Sequence, residues 1–231
     1  MNARVVSLVP SSTETLLALG ADVVACTRFC EQPGLLTVGG TKNPDIDAIV
    51  QLAPDVVVLD REENRIEDHD ALVAAGLSVF VSDVRSVDAG VEVVRELAEA
   101  VGVATPAVEQ MRSNDPPIRL RAFVPIWRRP WMSINAATYG GSLLRRLGIE
   151  LVTSDAAAAY PAIDLDDVAA CAPDLVLVPS EPYDFTATHL DELALALPSA
   201  RIHRIDGQDL FWWGVRTPAA VSRLAGFLDR P

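Results

Sequence analysis

Residues 45–60 read DIDAIVQLAPDVVVLD, and residues 164–179 read DLDDVAACAPDLVLVP. Each stretch has a helical pattern, then Ala-Pro-Asp, then a short apolar run. A helix feeding directly into a buried-type strand is the pattern of a parallel α/β layer. The two stretches match without a gap at an offset of 119. A looser match pairs TLLALGADVV (15–24) with LLRRLGIELV (143–152) at an offset of 128. Over a few residues any helix–Ala-Pro-Asp–strand junction looks alike, but the length of the first match favours duplication. Two similar lobes with a ligand cleft between them are the expectation.

The remaining elements extend outward from these repeats. RVVSLVP (4–10) reads as a strand and SSTETLLALG (11–20) as a helix, with Ser11 or Ser12 as cap, Glu14 in the first turn and Gly20 as stop. DVVACT (22–27) is a strand, EDHDALVAAG (67–76) a helix and LSVFVSD (77–83) a strand. SVDAGVEVVRELAEAVGV (86–103) is a longer helix, and Asn114-Asp115-Pro116-Pro117 breaks the pattern. A second cycle follows: strand 120–127, helix 140–148, strand 149–153, helix 164–172, strand 173–180, helix 190–196, strand 201–206 and a closing helix 217–229. The expected fold is α/β, with two Rossmann-like lobes of parallel sheet joined by a single connecting helix. The boundaries are 1–85, 86–117 for the connecting helix and linker, and 118–231.

The chain has 231 residues, is half apolar and carries a net charge of -13, so it can build a large core. A strongly acidic chain is a poor partner for nucleic acid or an anionic membrane. No apolar run reaches 18 residues, so membrane insertion is not expected. The first strand begins at Arg4 or Val5, leaving no room for a signal peptide, and the expected location is cytoplasmic. Cys26, Cys30 and Cys171 are too few for a disulfide framework and read as structural thiols rather than a zinc site. His69, His189 and His203 are scattered and expected in surface or capping roles, so no metal site is assigned.

In a parallel α/β lobe, ligands sit outside the carboxyl ends of the strands. That rule selects Ser11, Ser12 and Thr13 after the first strand, which could also be simple helix caps. It selects Arg28 and Phe29 after the second, with Thr41 and Lys42 behind the Gly39-Gly40 pair, which could equally be a tight turn. After the third strand come Glu63 and Arg65, in what could be a solvated helix start. The second lobe contributes Trp127, Arg128, Arg129, Trp131 and Tyr139, then Glu181 and Tyr183, then Trp212 and Trp213. Residues 112–146 hold seven arginines (112, 119, 121, 128, 129, 145 and 146) against one acid, Asp115. Such a bias suits an anionic group, and the tryptophans suit a flat one. Plain packing remains the alternative for one tryptophan of each pair, and an exposed helix face for Arg145 or Arg146.

RVVSLVPSSTETLLALG, VGGTKNPDIDAIVQLAPDVVVLD and ALVAAGLSVFV closely resemble the N-terminal lobe of the class III periplasmic-binding-protein-like family, the helical backbone metal receptors. DLFWWGVRTPAA before the final helix fits the same family. The resemblance covers nearly the whole chain and is nearest to the cobalamin-binding branch. It implies a substrate-binding protein related to ABC transporters, holding a metal chelate or tetrapyrrole such as cobalamin, haem or a ferric siderophore between two lobes. It also places the acids that dock such receptors onto an importer at Asp47 and Asp166, aspartate here where the cobalamin carriers have glutamate. A chain that is not exported would present them to no importer.

No GxSxG, HExxH, Walker A or GxGxxG motif is present. The expectation is therefore a non-catalytic binding protein for a flat, anionic small molecule, with no catalytic residue assigned. Two alternatives stand beside it. One is an enzyme on the same scaffold using Glu62, Glu63 or Glu181. The other is a regulatory protein with a vestigial cleft.

Overall fold

The computed structural model describes residues 3–105 and 115–228. They form β1 (Arg4–Ser7), α1 (Pro10–Ala18), β2 (Asp22–Cys26), β3 (Leu36–Thr37), β4 (Gly39–Gly40), β5 (Asn43–Pro44), α2 (Ile46–Leu52), β6 (Val56–Asp60), α3 (Ile66–Ala74), β7 (Val79–Ser82) and α4 (Val87–Val101). The second half contains β8 (Leu120–Phe123), α5 (Tyr139–Arg146), β9 (Ile149–Leu151), α6 (Leu165–Ala170), β10 (Leu175–Pro179), α7 (Ala187–Ala196), β11 (Arg201–Ile205), α8 (Gly207–Phe211) and α9 (Thr217–Leu228).

The chain divides into two compact α/β units. The first comprises residues up to Val84, helix α4 from Asp88 and the short segment Trp213–Arg216. Its five-stranded sheet runs β3-β2-β1-β6-β7, parallel throughout. Val6, Leu8, Ala25, Ile49, Val57, Leu59 and Leu72 form a core within it. The second unit has a four-stranded sheet, β11-β10-β8-β9, also parallel. Phe123, Trp131, Val168, Val176, Val178, Phe185 and Leu193 pack together there.

Both sheets repeat one order. β2-β1-β6-β7 corresponds to β9-β8-β10-β11, with α1, α2 and α3 matched by α5, α6 and α7. The Ala-Pro-Asp repeat has a physical cause in both units. Ala53 and Ala172 take left-handed backbone at φ 45° and 48°, ending α2 and terminating the segment after α6 before a proline that cannot extend a helix. The aspartate then joins the neighbouring strand. Asp55 Oδ2 accepts from Arg4 N–H at 2.8 Å, and Asp174 Oδ2 accepts from Arg121 N–H at 2.8 Å. The same arginines donate back to the preceding helix, Arg4 to Leu52 O (3.0 Å) and Arg121 to Cys171 O (2.6 Å). The duplication thus extends to a matched set of hydrogen bonds.

Several boundaries differ from expectation. Pro10 opens α1 instead of ending β1, because the first helical position needs no N–H. Val9 is therefore the N-cap, no side chain caps the helix, and neither Ser11 nor Ser12 does so. Glu14 falls beyond the first turn and pairs instead with Arg216 at 2.6 Å. β8 stops at Phe123, four residues early, since Pro125 follows. The two-residue strands β3, β4 and β5, the 3₁₀ turn at Arg28–Cys30 and the five-residue α8 are too short to leave a periodic signal.

Candidate functional site

In the first unit, the loops at the strand ends are tied to one another. Asp60, buried at the end of β6, accepts from Glu62 N–H (2.9 Å) and from the Ser82 hydroxyl (2.6 Å). Its own N–H donates to Asn64 Oδ1 (2.8 Å), and Asn64 Nδ2 donates to Thr41 O (2.9 Å). Lys42 Nζ donates to Glu62 O at 2.7 Å. Thr41, Lys42 and Glu63 are thereby brought together, an arrangement organised by Asp60 and Asn64, which the sequence did not single out. Arg65 lines one hollow with Asp60 and Asn64 and makes a bidentate pair with Asp68 (2.7 and 2.9 Å).

The glycine pair serves a hairpin. Gly39 and Gly40 pair antiparallel with Pro44 and Asn43. A Cβ on Gly39, at φ 86°, would sit 2.5 Å from Asn43 O, and one on Gly40 would sit 3.0 Å from the Arg28 guanidinium carbon. Arg28 also lies over the exposed Phe29 ring, 4.7 Å from its centroid. Thr13 points inward and is fully buried, its hydroxyl within hydrogen-bond reach of Ser7 Oγ, Val9 O and Cys30 Sγ. Ser11 and Ser12 are also buried, and Ser12 Oγ has no partner.

Burial raises the Asp60 carboxyl above its ordinary range, and the nearby Glu62 charge adds to this against three hydrogen-bond donors. Glu63 is raised too, by the protein mass around it and by Asp60 and Glu62, with Lys42 opposing. A carboxyl that holds its proton more tightly when folded costs stability once ionised. Its contribution falls as pH rises from the ordinary carboxylate range through the folded pKa, and returns on acidification. Asp60→Asn keeps Oδ1 for the backbone donors, so it is expected to flatten that slope in urea denaturation between about pH 4 and about pH 8. Parallel slopes for the two proteins would remove the assignment.

In the second unit, an aromatic cluster forms beyond the ends of β8 and β10. Trp127 is 46% exposed and meets Tyr183 edge-on, with centroids 5.1 Å apart. Trp131 is buried and stacks on Phe185 at 5.9 Å, with 4° between planes. Tyr183 also contacts Phe185 and His189. Trp127 and Met132 bridge antiparallel, making a tight excursion of the loop between them. The two tryptophans have therefore separated in role: Trp131 is core and Trp127 is surface. Phe185 and His189 join the cluster although neither was among the expected ligand residues. His189 caps α7 through Thr186, as expected of a capping histidine, and its ring completes the cluster. His203 lies half-buried on the edge strand β11, with a buried Nε2 that lacks a partner.

The arginine bias is largely internal. The Arg121 guanidinium donates to Cys171 O (2.6 Å) and lies 3.8 Å from Glu150, Arg145 and Arg146 both face Asp115 (3.8 and 3.4 Å), and Arg112 lies outside the described residues. Arg128 makes a bidentate pair with Glu192 (2.7 and 3.1 Å) and lies 4.8 Å over Trp131. A hollow of about 510 Å³ beside it is lined by Asp164, Asp166, Asp167 and Glu192, so its field does not suit an anion. Arg129 is the exposed arginine of the pair, at φ 78°, and no acid among the described residues pairs with it. Arg128 is thus a clamp between the 127–131 loop and α7. A double-mutant cycle with Glu192→Gln is expected to give a coupling of roughly 1 kcal/mol, since both groups are partly screened. A coupling of zero would mean that the loop does not depend on this pair.

Tyr139 is buried, and its hydroxyl is 2.7 Å from Thr217 Oγ1, so it is a packing residue of the second unit. Trp212 Nε1 donates to Glu181 Oε1 at 2.8 Å, which joins two of the expected ligand residues to each other. Trp213 is buried in the first unit, the packed member of its pair. Asp47 and Asp166 sit exposed in the first turns of α2 and α6, where the helix dipole already favours them. Among the described residues no helix is long and apolar enough to cross a membrane, and no three His, Cys, Asp or Glu side chains gather as a metal site.

Comparison with known proteins agrees with this architecture. Residues 5–115 match the periplasmic binding protein family. The vitamin B12-binding protein of Yersinia pestis (strain Pestoides F) is 26% identical over 192 residues, covering 76% of this chain and 69% of that protein. Among solved structures, the periplasmic vitamin B12 binding protein BtuF of Vibrio cholerae superposes with a TM-score of 0.77 at 20% identity, covering 98% of this chain and 97% of that one. The periplasmic heme binding protein HutB of the same organism reaches 0.79 at 20% identity, covering 98% and 99%. The resemblance expected from the N-terminal motifs holds at both levels: residues 5–115 carry the sequence pattern of the periplasmic binding proteins, and the chain as a whole carries their fold.

Proposed function

We propose that this chain is a non-catalytic binding protein for a flat metal chelate of the tetrapyrrole type, in the class of cobalamin or haem. The observation that carries the reading is the exposed Trp127 ring held edge-on against Tyr183 at the strand ends of the second unit. Trp faces supply stacking area for planar ligands at low entropic cost. The curated relatives bind vitamin B12, and solved neighbours of the same fold bind vitamin B12 or heme, which supports the ligand class. Arg129, exposed beside Trp127, is the group available to an anionic edge of such a ligand, since Arg128 is spent on Glu192.

Of the carboxylates considered for chemistry, Glu181 is held by the Trp212 indole N–H. The direct test is titration of the protein with cyanocobalamin, haem and a ferric siderophore, read by absorbance and tryptophan fluorescence. Saturable binding at micromolar ligand or tighter, with ligand recovered unchanged, is the expected result. No response to any of the three would end the proposal.

A further inference from the structure

The 3₁₀ turn Arg28–Cys30 follows β2 and is anchored at both ends. Thr27 and Cys30 are buried, Thr27 Oγ1 accepts from Phe29 N–H (3.3 Å), and Cys30 N–H donates to Thr27 O (3.1 Å). Arg28 and Phe29, between the anchors, are left exposed. The Arg28 guanidinium lies over the Phe29 ring, 4.7 Å from its centroid. Its carbon and Nη2 are each 3.0 Å from where a Gly40 Cβ would stand, so it also rests against the β4–β5 hairpin. Gly40 does not have positive φ, so the glycine serves here to leave room.

Arg28 also differs from the other arginine and lysine side chains described in the first unit. Arg4 donates to Leu52 O and Lys42 to Glu62 O. Arg61, Arg65, Arg95 and Arg216 pair with Asp83, Asp68, Glu92 and Glu14. Among the described residues, Arg28 has neither an acid nor a carbonyl, only the ring and the glycine. A guanidinium held flat in advance loses less freedom on binding, and its paired N–H donors match the two oxygens of a carboxylate.

We propose that Arg28, positioned by Gly40 and Phe29, recognises a free carboxylate on the ligand. Carboxylate-bearing tetrapyrroles are then preferred to amidated or esterified ones. The inference rests on the tetrapyrrole reading above and narrows it. Haem carries two propionates, whereas the side chains around a cobalamin ring end in neutral amides, so the haem type suits Arg28 better. Gly40 is a positioning residue, since a methyl group there takes the space of the guanidinium.

The test titrates the protein with haem and with haem dimethyl ester, which keeps the ring but not the carboxylate charge, and follows porphyrin absorbance. Wild type is expected to bind haem ~10- to 100-fold tighter than the ester. In Arg28→Gln the two affinities are expected to come within about threefold, because haem weakens and the ester barely changes. That variant alters an exposed side chain and keeps the fold. Gly40→Ala, with Arg28 still present, is expected to lose most of the preference, and if it keeps all of it the role given to Gly40 is wrong. If wild type binds haem and ester alike, or Arg28→Gln keeps the full preference, carboxylate recognition does not lie at Arg28. The inference then fails while the ligand reading stands. If neither compound binds, nor cyanocobalamin, the ligand reading fails and this inference with it.

Discussion

Replacing Trp127 with alanine is expected to weaken binding of a cobalamin or haem ligand by ~10- to 100-fold while leaving the melting temperature nearly unchanged. About half of a tryptophan's ~200–250 Å² remains open at this position, and covering it at ~25 cal/mol per Å² is worth roughly 2–3 kcal/mol. The same substitution at Trp131 should do the reverse. That ring is buried against Phe185 and the core of the second unit, so its removal costs roughly 3–5 kcal/mol of stability. Measuring ligand affinity and thermal unfolding on both variants separates the surface ring from the core ring. If Trp127→Ala binds like the wild type, the ligand lies elsewhere and the platform is only surface.

Gly141→Ala is expected to destabilise the second unit by about 3 kcal/mol, lowering its unfolding midpoint by roughly 6–12 °C. A Cβ there would stand 2.2 Å from the backbone oxygen of Asn135 and 3.1 Å from the Ala136 Cα. That backbone cannot give way cheaply. Asn135 O accepts from the Thr138 hydroxyl (2.9 Å), Asn135 N–H donates to Ala159 O (2.9 Å), and Asn135 Nδ2 donates to Ala156 O (2.8 Å). Gly226→Ala in α9 is the control. Nothing lies within 4 Å of its added Cβ, so helix propensity alone should make it neutral or stabilising by ~0.5–1 kcal/mol. Calorimetric scans showing equal effects for the two glycines would contradict the packing described around α5.

Much of the fold was open to reading from one dimension. A helix face, an Ala-Pro-Asp stop and an apolar strand are local patterns. Their repetition at residues 45–60 and 164–179 announced two similar parallel layers, and the strand orders of the two sheets follow that repetition. Placing candidate loops at the carboxyl ends of strands needed nothing more than the order of elements. The short pieces were not legible, because two- and three-residue elements such as β4, β5 and the turn at Arg28–Cys30 have no period to detect.

The fates of individual side chains depended on partners distant in sequence. Arg128 and Arg129 are adjacent and chemically alike, yet Glu192, 64 residues away from Arg128, takes one and leaves the other exposed. Arg121 looked like part of a basic patch, yet its guanidinium donates to the Cys171 carbonyl, 50 residues on, and lies 3.8 Å from Glu150. Trp127 and Trp131 were equivalent as letters and became platform and core through contacts with Tyr183 and Phe185. The sequence by itself determined the two α/β layers and the loops able to carry a site, since periodicity and turn chemistry act between near neighbours. Only the tertiary structure decided which charges and rings in those loops remain free for a ligand, since pairing and burial are set by residues that meet only when the chain is folded.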